Sequence, residues 1–204
     1  EILFAITSKK FSLITATNVY EAELINKISS KEITVVPNGI SSQRVKELSQ
    51  IPFSKLNTQI NLTYVGNVGI AQELEILIKF AKANVNINIT IVGSGARTEY
   101  LRGLIKLNNL KNIKLKKPVI FEELIKFYSM SDILFAQIGK NYVSAIPTKI
   151  FEYISAGRRV LLGLPDDGIA KNIFSSFKGV EIFKSGDIDD MFAAYRNLLD
   201  NKFS

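Results

Sequence analysis

From residue 59 onward the chain alternates two hydrophobic rhythms. The runs "NLTYVG", "INITIVG", "NIKLKK", "DILFAQ", "RRVLLG" and "GVEIFK" are short and rich in β-branched and aromatic residues, the mark of strands. Between them lie "AQELEILIKFAK", "ARTEYLRGLIKL", "FEELIKFYSM" and "PTKIFEYISAG", whose apolar positions recur at helical spacing. In the first of these, Leu74, Leu77, Ile78 and Ala81 share one stripe while Glu73, Lys79 and Lys82 lie elsewhere, so the stripe is core. Strand and helix in alternation predict an α/β fold: a Rossmann-like parallel sheet with helices on both faces.

The first 40 residues carry the same rhythm only once, as "FSLITATNVYEAELINK" followed by "EITVVPNGI": strand, helix, strand. Two parallel strands cannot bury both faces, so residues 1–40 are expected to be the remnant of a larger N-terminal domain. The polar stretch "SSQRVKELSQIPFSKLNTQ", with Pro52 and a short helix at its start, reads as an interdomain linker over residues 41–58. Residues 59–204 then form the main domain.

Composition narrows the chemistry. The 204 residues include no cysteine and no histidine, which excludes thiol nucleophiles, cysteine metal sites and the usual general base. Neither a metal nor a bound cofactor is expected. The net charge of +7, from 26 Lys and Arg against 19 Asp and Glu, suits anionic small molecules or an anionic membrane face; no arginine-rich tract points to nucleic acid. No apolar run approaches the length of a membrane span, and "EILFAITSKK" lacks the features of a signal peptide, so a cytoplasmic chain is expected, with peripheral membrane contact.

Glycine loops follow the first two strands of the main alternation. "YVGNVG" places Gly66, Asn67, Val68 and Gly69 after the first, and "IVGSGARTEYL" places Ser94, Gly95 and Arg97 after the second. Backbone N–H groups in such loops can approach a phosphate without side-chain obstruction, although glycine after a strand is also ordinary turn chemistry. Neither loop has the third glycine of a dinucleotide fingerprint, and no Gly-Lys-Ser/Thr phosphate loop occurs. Further on, "SAIPTKIFEYISAG" (residues 144–157) opens a helix after Pro147 with Thr148, Lys149 and Glu152 in its first turns, a setting for an anion.

Taken in order, "VVPNGI", "YVGNVGIAQELEILIKFAK", "IVGSGARTEYL", "KPVIFEELIKFYSMSDILFA" and "PTKIFEYISAGRRVLL" resemble the nucleotide-sugar half of a family 4 (group 1) retaining glycosyltransferase of GT-B architecture. The resemblance runs from about residue 11 to the end. It is nearest in look to bacterial transferases of amino sugars that build capsule or O-antigen polysaccharides. The resemblance implies a donor-binding half that moves a sugar from a nucleoside diphosphate, UDP by family habit, to a glycan or lipid-linked saccharide, with retention. It also implies an acceptor-binding N-terminal domain, without which these 204 residues would bind donor and transfer little.

The same resemblance assigns roles. Glu152 matches the glutamate that hydrogen-bonds the ribose hydroxyls, a task two acceptor oxygens suit. Thr148 and Lys149 would meet the diphosphate, Lys149 easing its departure. Pro118 and Val119 fall where backbone groups read the base edge. The chain departs from the family twice. Ser144 stands where many members carry a second glutamate near the sugar, and Asn67 and Gln72 stand where many carry arginine and lysine. Lys149, with Arg97, would then supply the positive charge. A catalytically silent relative acting as a binding subunit is the competing reading; an unrelated Rossmann oxidoreductase lacks its fingerprint here, and a nucleotide-sugar 2-epimerase would need histidine.

Overall fold

The computed structural model describes residues 6–29, 31–52, 56 and 58–200; the ends of both domains as read above, and part of the linker, lie outside the described residues. The chain divides into two units, Glu1–Gly39 and Ile40–Ser204.

In the first unit β1 (Ile14–Ala16) pairs in parallel with β2 (Ile33–Val35), Ile14 opposite Ile33, across the helix α1 (Val19–Asn26). Asn18 caps α1 by accepting from the Glu21 backbone N–H at 2.9 Å, and the Glu21 carboxylate accepts from the Thr17 N–H at 3.0 Å. Ala16, Ala22 and Ile33 are the buried apolar residues here, while Leu13, Val19, Leu24 and Val36 stay more than half exposed. A two-stranded sheet with α1 against it is too small to bury them all.

The second unit opens with α2 (Ser42–Leu48), inside the stretch read as a linker. Ser41 caps it, and Leu48 is completely buried, so this helix is part of the unit's core. The unit then runs β3 (Ile60–Val65), α3 (Glu75–Ala83), β4 (Ile87–Val92), α4 (Thr98–Leu107), β5 (Ile113–Lys116), α5 (Phe121–Met130), β6 (Ile133–Gln137), α6 (Lys149–Ser155), β7 (Arg159–Leu164), α7 (Ala170–Phe174), β8 (Val180–Lys184) and α8 (Ile188–Asp200). Its strands form one parallel sheet in the order β5-β4-β3-β6-β7-β8. The chain builds outward from β3 to β5, then returns beside β3 with β6 and builds the other way.

Strand alternation divides the core. Along β6, Ile133 and Phe135 enter one layer, with α3 and α8, while Leu134 and Ala136 enter the other, with α2, α5, α6 and α7. The central strands are buried on both faces, which is why they read as nearly unbroken apolar runs.

Two elements differ from the periodicity. The stripe in "AQELEILIKFAK" predicts a helix from Ala71, but Ile70–Gln72 forms a single 3₁₀ turn and Glu73 takes a left-handed φ of 43°, so α3 starts at Glu75. The helix α8, not singled out in the sequence, supplies Met191, Ala194, Tyr195 and Leu198 to the core. No helix among the described residues is long and apolar enough to cross a membrane.

Candidate nucleotide-sugar site

The order of strands reverses between β3 and β6, and in open parallel sheets ligands bind beyond the carboxyl ends of strands at such a reversal. The loops at that end are built from glycine for a reason of packing. Gly66 and Gly93 both have positive φ, 155° and 151°, and a Cβ on Gly93 would lie 1.9 Å from the Gly66 carbonyl oxygen. A Cβ on Gly95 would meet the Val68 carbonyl oxygen and the Asn67 side chain, each at 2.5 Å. Hydrogen bonds lock the two loops together: Val68 N–H donates to Ser94 O at 3.0 Å, and Arg97 N–H donates to Val68 O at 2.9 Å. The glycines therefore let the loops interlock, and Val68, completely buried, is a peg between them.

Beyond these loops lie two cavities, of about 300 Å³ and about 270 Å³. The first is lined by Ser94, Pro118, Val119 and Leu124 among others, the second by Gln72, Gln137, Pro147, Thr148 and Tyr153. Val65, Gly66, Asn67 and Lys149 line both. Lys149 thus stands at the wall between the cavities, the one cationic side chain among the described residues of either lining.

Glu152 follows one turn along α6. It is 8% exposed, so the solvated surface position open to a lone helix glutamate is not what it occupies. Its Oε2 accepts from the Tyr128 hydroxyl at 2.7 Å and from Lys149 Nζ at 3.0 Å; its Oε1 accepts from Arg44 Nη1 at 3.4 Å. A buried carboxylate is tolerated in such company because two cations and a hydroxyl replace its water. Tyr128 is itself fully buried; burial first, then the neighbouring Tyr153 and Glu152, push its phenol well above the usual value, so it remains a donor. The Tyr128 and Tyr153 rings meet edge to face at 5.6 Å, and Tyr153 OH accepts from Val65 N–H at 3.1 Å. The end of β3, the helix α5 and the helix α6 are fixed to one another at this point.

The structure gathers Gly66, Asn67, Ser94, Pro118, Val119, Pro147, Thr148 and Lys149 around the two cavities, with Glu152 behind Lys149. Gly69 and Gly95 serve loop geometry: Gly69 N–H donates to Gln72 Oε1 at 3.1 Å and Gly95 N–H to Thr98 Oγ1 at 2.8 Å. Thr148 makes no side-chain cap, and α6 begins at Lys149. Arg97 lies apart from Lys149, in a third depression of about 400 Å³, where its guanidinium pairs with Glu75 at 3.2 Å and stacks on Tyr100. Ser144 is outside the linings of all three cavities.

Several participants escape a reading of the sequence. Gln137, 2% exposed, donates to the carbonyls of Gln72 and Glu73 at 3.1 and 3.0 Å, tying the β3 loop to β6. Arg44 and Tyr128 reach Glu152 from 108 and 24 residues away in sequence. A polar residue ending the apolar run "DILFAQ" was the available signal for Gln137; nothing local marks the other two.

A family model described as "Glycosyl transferases group 1" matches residues 46–203. Among solved structures, S. aureus TarM, crystallised with Fondaparinux, alpha-GlcNAc-glycerol and UDP, superposes with a TM-score of 0.74 at 15% identity, covering 97% of this chain and 38% of TarM. Anabaena HepE in complex with UDP and glucose gives a TM-score of 0.70 at 13% identity, covering 93% of this chain and 54% of HepE. The pneumococcal O-GlcNAc transferase GtfA in complex with UDP and GlcNAc gives 0.68 at 16% identity, covering 97% and 39%. These likenesses establish the fold. The chain spans about two fifths of the length of TarM. Among curated proteins no sequence match reaches significance.

Proposed function

The chain belongs to the glycosyl transferases of group 1, and on that premise we propose that it is the donor-binding half of a retaining transferase using a nucleoside-diphosphate sugar, with UDP as the nucleotide. Lys149, a cation shared by two adjoining cavities at the strand reversal, carries the reading. A nucleoside in the cavity lined by Pro118 and Val119 and a sugar in the cavity lined by Gln137 and Thr148 would put the diphosphate at Lys149. Glu152 would accept from the ribose hydroxyls. The acceptor is a growing polysaccharide or lipid-linked saccharide, and residues 1–40 belong to the domain that holds it.

In this reading Lys149 stabilises the charge that grows on the departing diphosphate, an electrostatic task suited to a fixed donor at a cavity wall. The acceptor oxygen bonds to the anomeric carbon on the face from which the diphosphate leaves. The bond to the diphosphate breaks with its electron pair, and the acceptor's proton passes to the leaving oxygen.

Calorimetry on the 204-residue chain with UDP, uridine and NAD tests the assignment. UDP should bind more tightly than uridine and NAD. Lys149→Ala removes a charge-assisted contact worth roughly 1.5 to 3 kcal/mol. Lys149 gives up its Glu152 partner to make that contact, so the net loss should sit at the lower end, about tenfold for UDP, with uridine nearly unchanged. Tighter binding of NAD, or equal losses for UDP and uridine, would overturn the reading.

A further inference from the structure

Lys149 pairs with Glu152 at 3.0 Å, yet the proposed function, on which this inference rests, sends the same ammonium to a diphosphate. If Lys149 turns away, a carboxylate whose side chain is 11% exposed keeps neutral hydroxyls, of Tyr128 and of the ribose, and Arg44 as the cation against it. Leaving a buried charge unpaired is among the costliest changes available to a protein. We infer that Arg44 is a positioning residue: it is the standing counter-ion that holds the Glu152 carboxylate in place, and so releases Lys149 for the diphosphate.

Three observations fit Arg44 for this. Its guanidinium carbon lies 3.7 Å from the centroid of the Phe121 ring, a stacked position that fixes the fork without using its donors. It approaches Oε1, the oxygen that Lys149 and Tyr128 leave open, so it does not compete with Lys149 for a place. It also lines neither cavity, unlike Lys149, which lines both. Ser41 starts α2 and buried Leu48 anchors it, which sets Arg44 against α6.

The test compares the affinity ratio of UDP to uridine in the full chain, by calorimetry, for Arg44→Met, Arg44→Lys, Lys149→Ala and the double variant Arg44→Met/Lys149→Ala. Without Arg44, Lys149 should stay on Glu152, and the ratio should fall by about tenfold, the size of a strong coupling between neighbouring charged groups. Arg44→Lys should recover most of the ratio. In the Lys149→Ala background, Arg44→Met should change the ratio by less than about twofold, since there is no lysine left to release. An unchanged ratio in Arg44→Met overturns the inference, as does an equal fall with and without Lys149, which would mark Arg44 as a general cation. Glu152→Gln separates the two readings: uridine affinity lost in that variant, with the ratio intact in Arg44→Met, would sink the role of Arg44 alone. Uridine affinity untouched in Glu152→Gln would sink the ribose assignment beneath it.

Discussion

Replacing Glu152 by Gln keeps size and helix propensity but removes the charge and one acceptor oxygen, so its effects report on the environment of the carboxylate. From sequence alone, an exposed helix position would give a stability change below about 0.5 kcal/mol. The structure gives a larger figure. The Tyr128 hydroxyl can still donate to the amide oxygen, but a charge-assisted bond becomes a neutral one of roughly half the strength. Arg44 and Lys149 lose an anion, yet their side chains are 39% and 38% exposed and can turn to water, which keeps the cost below the roughly 3 to 5 kcal/mol of a fully dry pair. The sum is about 1 to 2 kcal/mol. With a urea slope of about 2 kcal/mol per molar, the unfolding midpoint should drop by about 0.5 to 1 M. On the same samples, calorimetry should show both uridine and UDP weakened, since the ribose keeps one neutral acceptor in place of two charged ones. UDP should lose less, because Lys149 no longer gives up an anion to reach the diphosphate. A midpoint shift under about 0.1 M with both affinities intact would refute the geometry around Glu152 and the ribose assignment together.

Two further outcomes follow from packing and burial. Gly93→Ala should destabilise by roughly 3 to 5 kcal/mol in urea unfolding, since it combines a positive φ of 151° with a Cβ driven onto the Gly66 backbone; a loss under about 1 kcal/mol would show that the loops separate easily. Burial pushes the phenols of Tyr64, Tyr128 and Tyr153 up from an ordinary value near 10, so the folded state keeps protons that the unfolded state gives up. Stability should be unaffected by these groups below about pH 10 and fall above it, by up to about 1.4 kcal/mol per pH unit for each; urea titrations that stay level to about pH 11 would contradict this.

The alternation of runs was enough to find the parallel sheet, because central strands buried on both faces have to be apolar along their length. It failed where a single residue's backbone decides the outcome. Glu73 sits in a left-handed conformation within a stripe that looks helical, and periodicity carries no information about φ. It also undervalued α2, whose polar sequence hides one completely buried leucine. For the site, most of the residues the resemblance named line the two cavities at the strand reversal. What it could not supply was company. That Glu152 is buried and shared by three donors depends on α2 and α5 meeting α6, a long-range arrangement written in no local pattern. Arg97 shows the converse: its sequence neighbourhood suits a phosphate, but the turn after Gly95 directs it to Glu75.

The interlocked loops after β3 and β4 also bear on how variants of this domain can be made. Each loop is the other's mould: the Gly66 carbonyl occupies the space where Gly93 would carry a side chain, and Val68 is gripped by Ser94 and Arg97. Grafting one loop from a relative while keeping the other would match a new key to an old lock, and saturation libraries that vary one side at a time would mostly sample misfits. Diversity at this end of the sheet has to be introduced as a matched pair, exchanged as a single cassette.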